Sequence, residues 1–250
     1  MRVYTPRRMT GTVVIVGDAH LSEADPEAVG AFHRFVRAVP RPGDHVLIIG
    51  DLFDFWFEYR TVIPRFAFTT LAVLLGLRDA GVRITVVGGN HDRWGGPFWE
   101  REVGATFHRY SANLDLGGLP AHVEHGDGVA TAGVLSKVLR FVVHRPVTAA
   151  AVRAVHPDVA LAAVSRFSQW LARSGGRQAR LDREGVAQAQ WAREWLAGWP
   201  EVQLLVLGHT HRPALETVAP RRWYLNPGAW QAGRCYAVIG EEGPALRRFE

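Results

Sequence analysis

The sequence predicts an α/β fold, and three observations carry that reading. Short β-branched runs recur along the chain and end in glycine or a polar residue. Amphipathic helical stretches alternate with them, as expected for a sheet with helices on its faces. Each run also hands the chain over to Asp, Asn or His at its carboxyl end.

The runs are "TVVIVGD" (12–18), "HVLIIGD" (45–51), "RITVVGGN" (83–90), "HVEHGD" (122–127) and "LLVLGH" (204–209). Continuous apolar runs of this length read as buried strands. After the first, Ala28, Val29, Phe32, Phe35, Val36 and Val39 keep helical spacing, with Asp25 placed as N-cap and Pro26 at the first helical position. A second helix is expected from about Pro64 to Ala80, stopping at Gly81. Beyond Arg222 only the strand-like runs "RWYLN" and "CYAVIG" follow, so the C-terminal part is expected to form a second sheet or an added β layer.

The segment Gly128 to Pro200 departs from this alternation. It is alanine-rich and helical in pattern, with ten basic residues against four acids, a net of +6. The remainder carries nineteen basic and twenty acidic residues, so the excess charge of the chain (+5 overall) belongs to this stretch. We therefore expect a single domain over 1–250 with a basic helical insertion at about 128–200. Confinement of the charge to an apolar helical segment argues against a nucleic-acid groove. It suits an anionic membrane surface. No nucleic acid and no protein partner is expected.

The single cysteine, Cys235, excludes an internal disulfide and fits a reducing compartment. The N-terminal stretch has about five consecutive apolar residues, short of the roughly 7–15 of a signal peptide or the about 20 of a membrane span. A cytoplasmic protein, peripheral on the inner face of a membrane, is the expectation.

The strand ends carry the chemistry. They supply Asp18 and His20 ("GDAH"), Asp51, then Asn90, His91 and Asp92 ("GGNHD"), His125 ("EHGD"), and His209 and His211 ("GHTH"). Taken singly, a strand-terminal Asp is more often a helix cap than a ligand. His33, His45, His108, His122, His144 and His156, which no strand-end motif holds, are read as ordinary polar residues. Taken together, five strand ends delivering Asp, Asn or His to the edge where open α/β sheets bind ligands form a site. The nitrogen and oxygen donor set suits Mn, Fe or Zn. Seven candidates (Asp18, His20, Asp51, Asn90, His125, His209, His211) exceed one ion's needs but serve two divalent ions if one carboxylate bridges. Two ions about 3.5–4 Å apart are the recurring arrangement for phosphate ester hydrolysis.

The ordered series Asp-x-His, Gly-Asp-x-x-Asp, Gly-Asn-His-Asp, His-Gly-Asp and Gly-His-x-His, from Asp18 to His211, resembles the calcineurin-like metallophosphoesterase family. The resemblance implies a four-layer αββα sandwich. It implies one metal held by Asp18, His20, Asp51 and His211, and a second by Asp51, Asn90, His125 and His209, with Asp51 bridging. It makes His91 the histidine that binds the substrate phosphate or protonates the leaving oxygen, oriented by Asp92. "NPGAW" (226–230) resembles the family's closing loop and reads equally well as a plain turn.

Three features bear on the substrate. "GDLFDFWFEYR" (50–60) places Phe53, Phe55, Trp56, Phe57 and Tyr59 behind Asp51 and Asp54, read as the start of an apolar wall beside the site. The insertion mixes apolar residues with arginine, as a lid on a membrane would. Finally, "GDLFDFWFEYR", "HGDG" and "HPD" look like those of the bacterial UDP-2,3-diacylglucosamine diphosphatases of lipid A synthesis. That similarity implies a nucleotide-sugar lipid substrate cleaved to UMP and 2,3-diacylglucosamine 1-phosphate, and a manganese pair. One departure is His91, where the best-known proteobacterial branch has arginine and other branches keep histidine. Asn90, His91, Phe55, Trp56, Arg177 and Arg180 are the expected substrate contacts.

Overall fold

The computed structural model describes residues 11–129, 146–172 and 177–250. The first three sequence runs become the parallel strands β1 (Val13–Val16), β2 (His45–Ile48) and β3 (Arg83–Val87), followed by β4 (Thr106–His108). β5 (Ser111–Leu116) and β6 (Leu119–Glu124) form a hairpin, and β7 (Leu204–Val206) pairs parallel with β6. The C-terminal strands are β8 (Ala214–Ala219), β9 (Arg222–Asn226), β10 (Cys235–Gly240) and β11 (Gly243–Arg248).

These last four strands make no sheet of their own. β10 and β11 extend the first sheet, of order β11-β10-β1-β2-β3-β4, while β9 and β8 complete the second, of order β5-β6-β7-β9-β8. The physical reason lies in what each strand can cover. Ala237 and Ile239 of β10 and Leu225 of β9 all face the apolar layer between the sheets, so one strand is needed on each side.

Period-two alternation sorts the strand residues into layers. Val14, Val16, Val46, Ile48 and Val86 face helix α1 (Pro26–Ala38) and helix α2 (Phe68–Asp79), where they meet Phe32, Phe35, Leu71 and Leu74. Val13, Ile15, Leu47 and Val87 face the second sheet and meet Val123, Leu204, Val206 and Leu225. On the far side of that sheet Leu205, Leu207 and Tyr224 pack on Ala189, Ala192 and Leu196. The result is the four-layer αββα sandwich.

The helix boundaries follow local chemistry. Asp25 Oδ1 accepts from the Ala28 amide at 2.9 Å and Pro26 opens α1. A 3₁₀ turn, Arg65–Ala67, leads into α2, and Gly81 leaves it at φ +87°.

The basic stretch at 128–200 divides. Helices α3 (Pro146–Ala154) and α4 (Pro157–Ala172) come first; α5 (Arg177–Gly198) then supplies the outer layer of the sandwich through Ala189, Ala192 and Leu196. Arg222 holds the C-terminal end of α5, donating to the carbonyls of Leu196, Trp199 (2.7 Å) and Val202 (3.0 Å). Among the described residues no helix is long and apolar enough to cross a membrane.

Candidate metal centre

The loops leaving β1 and β2 stay paired after the strands end. The Asp18 amide donates to the Gly50 carbonyl (3.1 Å), that of His20 to Asp51 (2.9 Å), and that of Leu21 to Leu52 (2.9 Å). Ligand loops are therefore held in register by backbone bonds rather than left to find each other. Gly50 is required: at φ +87°, a Cβ there would stand 2.5 Å from His125 Nδ1.

Asp51 sits at the centre. Its Oδ1 accepts from the His91 amide at 2.9 Å. Its Oδ2 lies 3.3 Å from His125 Nε2, 3.8 Å from His20 Nε2 and 4.0 Å from His91 Nε2. Asp18 lies alongside: Oδ2 accepts from the His209 amide at 3.0 Å, and Oδ1 is 3.5 Å from His211 Nε2. His20 and His211 point their Nε2 atoms at each other across 3.4 Å. His125 donates Nδ1–H to the Ile49 carbonyl (2.8 Å), which turns Nε2 toward Asp51 and toward Asn90 Oδ1 at 3.2 Å.

The expected first metal set, Asp18, His20, Asp51 and His211, is thus brought together. Of the second, Asp51, Asn90 and His125 converge. His209 stands edge-on to His125 with ring centroids 5.3 Å apart. Among the described residues three groups have ligand atoms all within 4.8 Å: Asp18, His20 and His211; Asp18, Asp51 and His125; and His20, Asp54 and His91. In the third, Asp54 Oδ1 is 3.8 Å from His20 Nδ1, on the ring nitrogen opposite the one that faces Asp51.

The electrostatics call for positive charge at this spot. Burial alone would raise Asp51, yet His125, His91 and His20 hold it well below the usual carboxylate range. Burial would lower His125, but Asp51, with Asp18 and Asp127, pushes it up to about 10. Burial lowers His20 to about 3 and His209 to about 4, leaving neutral imidazoles, the form that ligates metal. Asp18 Oδ1 is buried with no protein hydrogen-bond partner, an acceptor aimed among histidine nitrogens. Orphaned oxygen, neutral imidazoles and a carboxylate ringed by three histidines fit divalent cations.

Four residue assignments change, those of Asp92, Trp56, Phe53 and Phe57. Asp92 does not orient His91: its Oδ2 accepts from the Leu52 amide (2.8 Å) and its Oδ1 from the Gly89 amide (2.7 Å), so it staples the loop after β2 to the loop after β3. His91 is oriented instead by the Asp54 carbonyl, which accepts from Nδ1 at 2.5 Å. Trp56 faces no cleft. It is fully buried between Phe53, Phe98 and Trp99, because its ring points to the α1/α2 layer. Trp56 reaches the site through its backbone, donating to the His91 carbonyl at 2.9 Å. Phe53 and Phe57 are buried as well, while Phe55, edge-on to Trp94, and Tyr59 are the half-buried rings of the series. Of the insertion, Arg153 on α3 places its guanidinium 5.6 Å from the Phe57 ring centroid. The side chains of Arg177 and Arg180 lie outside the described residues.

Arg93 and Asp127 are site residues that the sequence reading does not single out, and "NPGAW" is a segment that it does. Arg93, almost fully buried, pairs with Asp127 at 2.7 Å and donates to the Gly89 carbonyl at 3.2 Å, tying "GGNHD" to "HGDG". Asn226 of "NPGAW" accepts from the Gly228 amide (2.9 Å) and donates to the Gly208 carbonyl (3.1 Å). The Trp230 and Gln231 amides then donate to the carbonyls of Gly17 and Asp18. "NPGAW" is both a turn and a closing loop for the site.

A four-layer sandwich with this series of aspartates, asparagine and histidines at one edge defines a metal-dependent phosphoesterase. The family model of the calcineurin-like phosphoesterases matches residues 11–213, and the chain belongs to that family. It is similar to a UDP-2,3-diacylglucosamine hydrolase of Porphyromonas gingivalis, 28% identical over 92% of this chain and 94% of the relative. A relative of the same name from Marinobacter nauticus is 30% identical over 82% of each chain. Among solved structures, Vacuolar Protein Sorting 29 of Cryptosporidium parvum aligns over 95% of each chain at 12% identity and a TM-score of 0.46.

Proposed function

We propose that the chain hydrolyses the pyrophosphate of UDP-2,3-diacylglucosamine, giving UMP and 2,3-diacylglucosamine 1-phosphate. The observation that carries this reading is the near end-to-end similarity to relatives of that named activity, which extends through the helical stretch as well as the metal motifs. In this reading Asp18, His20, Asp51 and His211 hold one divalent ion. Asp51, Asn90, His125 and His209 hold the other, with manganese as the expected metal. When bound, such a pair supplies an activated water and neutralises charge on the phosphoryl oxygens.

The chain's own residues do the rest. The Asp54 carbonyl accepts from His91 Nδ1–H and so turns Nε2 toward the centre, while Asp51 and that carbonyl raise the pKa of His91 against its burial, which favours the doubly protonated ring that can give up the Nε2 proton. As the oxygen of a water that has released one proton to solvent bonds to one phosphorus, the bridging P–O bond breaks and its electron pair leaves with the other phosphate. His91 then gives its proton to that oxygen. Phe55 and the insertion helices are assigned to the acyl chains, and Arg177 and Arg180 to the diphosphate. The basic helical stretch supports docking on the anionic inner face of a cytoplasmic membrane. Incubation of manganese-loaded protein with UDP-2,3-diacylglucosamine, followed by mass spectrometry, should yield UMP and the lipid monophosphate. Turnover of simple phosphodiesters with no lipid product would place the chain in another substrate class of the same family.

A further inference from the structure

Gln188 lies on α5, fully buried, and its side chain points at the second sheet rather than at solvent. Its Oε1 accepts from the Tyr224 hydroxyl (2.8 Å), Asn226 Nδ2 (3.0 Å) and Thr210 Oγ1 (3.3 Å). Its Nε2 donates to the Gly208 carbonyl at 3.1 Å. Asn226 closes the circuit, donating also to the Gly208 carbonyl and to Thr210 Oγ1, each at 3.1 Å. A buried primary amide held by four hydrogen bonds is a rigid element, because losing it strands several polar groups at once.

What this network grips is the "GHTH" loop. Gly208 and Thr210 alternate with His209 and His211, whose backbones adopt φ values of +69° and +59°. Such left-handed conformations are held only where the surroundings over-determine them. The two loop residues that Gln188 bonds, Gly208 and Thr210, are those flanking His209, and Thr210 also flanks His211. The structure offers the loop no equivalent side-chain hold from β7 itself, whose Leu204, Leu205 and Val206 are apolar.

We propose that Gln188 is a positioning residue for the metal centre: from the outer helical layer it locks Gly208–His211 so that both imidazoles face Asp18 and Asp51. The inference rests on the reading of His209 and His211 as ligands. It also links α5 to the centre, so the helix that follows α3 and α4 in the chain touches the ligand loop directly.

The test is calorimetric titration of metal-free protein with Mn²⁺, with circular dichroism and thermal melting run in parallel. Gln188→Leu should remain folded at the assay temperature and bind Mn²⁺ roughly 10–100-fold more weakly, as loss of groups that orient ligands does. Thr210→Val, close to isosteric, should weaken binding in the same direction. The double variant should be no weaker than the worse single, because both act through one loop and neighbouring changes do not add. A folded Gln188→Leu protein with wild-type Mn²⁺ affinity overturns the proposal, since a merely structural residue would lower the melting temperature and leave affinity alone. Additive losses in the double variant also overturn it. If Gln188→Leu does not fold, Thr210→Val decides: wild-type affinity there overturns the proposal too. Failure of the wild-type chain to bind Mn²⁺ would instead count against the metal-centre reading itself.

Discussion

Gly89→Ala is the smallest change that tests the geometry around Asp51. A Cβ at Gly89 would stand 2.1 Å from Asp51 Oδ1, 2.7 Å from its amide nitrogen and 2.9 Å from Cγ. Real Cβ atoms essentially never approach closer than 3.0 Å, so the carboxylate must retreat by about 0.9 Å. It cannot do so alone, because the methyl meets the Asp51 backbone as well. The same oxygen accepts from the His91 amide, so His91 moves with it. A misplacement of about 1 Å costs on the order of 100-fold in rate, or roughly 2.7 kcal/mol of transition-state stabilisation. We expect UMP release by the manganese-loaded variant, assayed where it is folded, to fall by about that factor, with stability lowered by about 1–3 kcal/mol through overpacking. Gly76→Ala on α2 is the matched control: nothing lies within 4 Å of its added methyl, and turnover should be unchanged. A Gly89→Ala protein with full turnover and full Mn²⁺ affinity would refute the argument that backbone proximity at Gly89 sets the Asp51 position.

Gly76→Ala itself should stabilise the fold by roughly 0.5–1 kcal/mol, raising the melting temperature by about 1–4 °C, because glycine in a helix interior carries excess backbone entropy. Trp56→Ala should destabilise by about 3–5 kcal/mol in denaturant unfolding, whereas Phe55→Ala should cost much less stability and instead raise KM for the diacylated substrate. His91→Gln should keep Mn²⁺ affinity by titration while kcat falls roughly 10²–10⁴-fold, as loss of a general acid does. Chelation should abolish activity, and added Mn²⁺ should restore it in an end-point UMP assay.

The convergence of the metal-competent series was legible because each candidate ligand sits next to its own strand in sequence, so a local motif reports a global position. Asp18, Asp51, Asn90, His125 and His209 needed only the rule that ligands gather at the carboxyl ends of strands. Facing was not legible for the aromatics. The stretch 53–59 runs as single bridges, Leu21 to Phe53 and Phe57 to Trp94, rather than as a regular strand. Without a fixed period, composition cannot say which ring turns inward. The split of the C-terminal strands between two sheets was hidden for a related reason: β9 and β10 are both apolar, and the turn at 226–230 between them does not encode which sheet each joins. Gln188 gave no signal at all, since "GVAQAQWAREW" reads as an ordinary polar helix face until β9 is laid against it.

Backbone strain explains why the candidate ligand residues were the clearest part. Among the described residues seven non-glycine positions have positive φ, and five of them are Asp18, His20, Asp51, His209 and His211. Each such residue costs on the order of 1–3 kcal/mol unless its surroundings over-determine it. Asp, Asn and His tolerate the left-handed region better than most side chains. They are also the oxygen and nitrogen donors that Mn, Fe or Zn prefer. The sharp turn off each strand and the metal chemistry therefore select the same short list of residues. The compensation is distributed: paired amides after β1 and β2, the Asp92 staple between the loops after β2 and β3, the Arg93–Asp127 pair, and the Gln188–Asn226 network under "GHTH". Those supports can be built from many residue types, which is why they left the weaker imprint on the sequence.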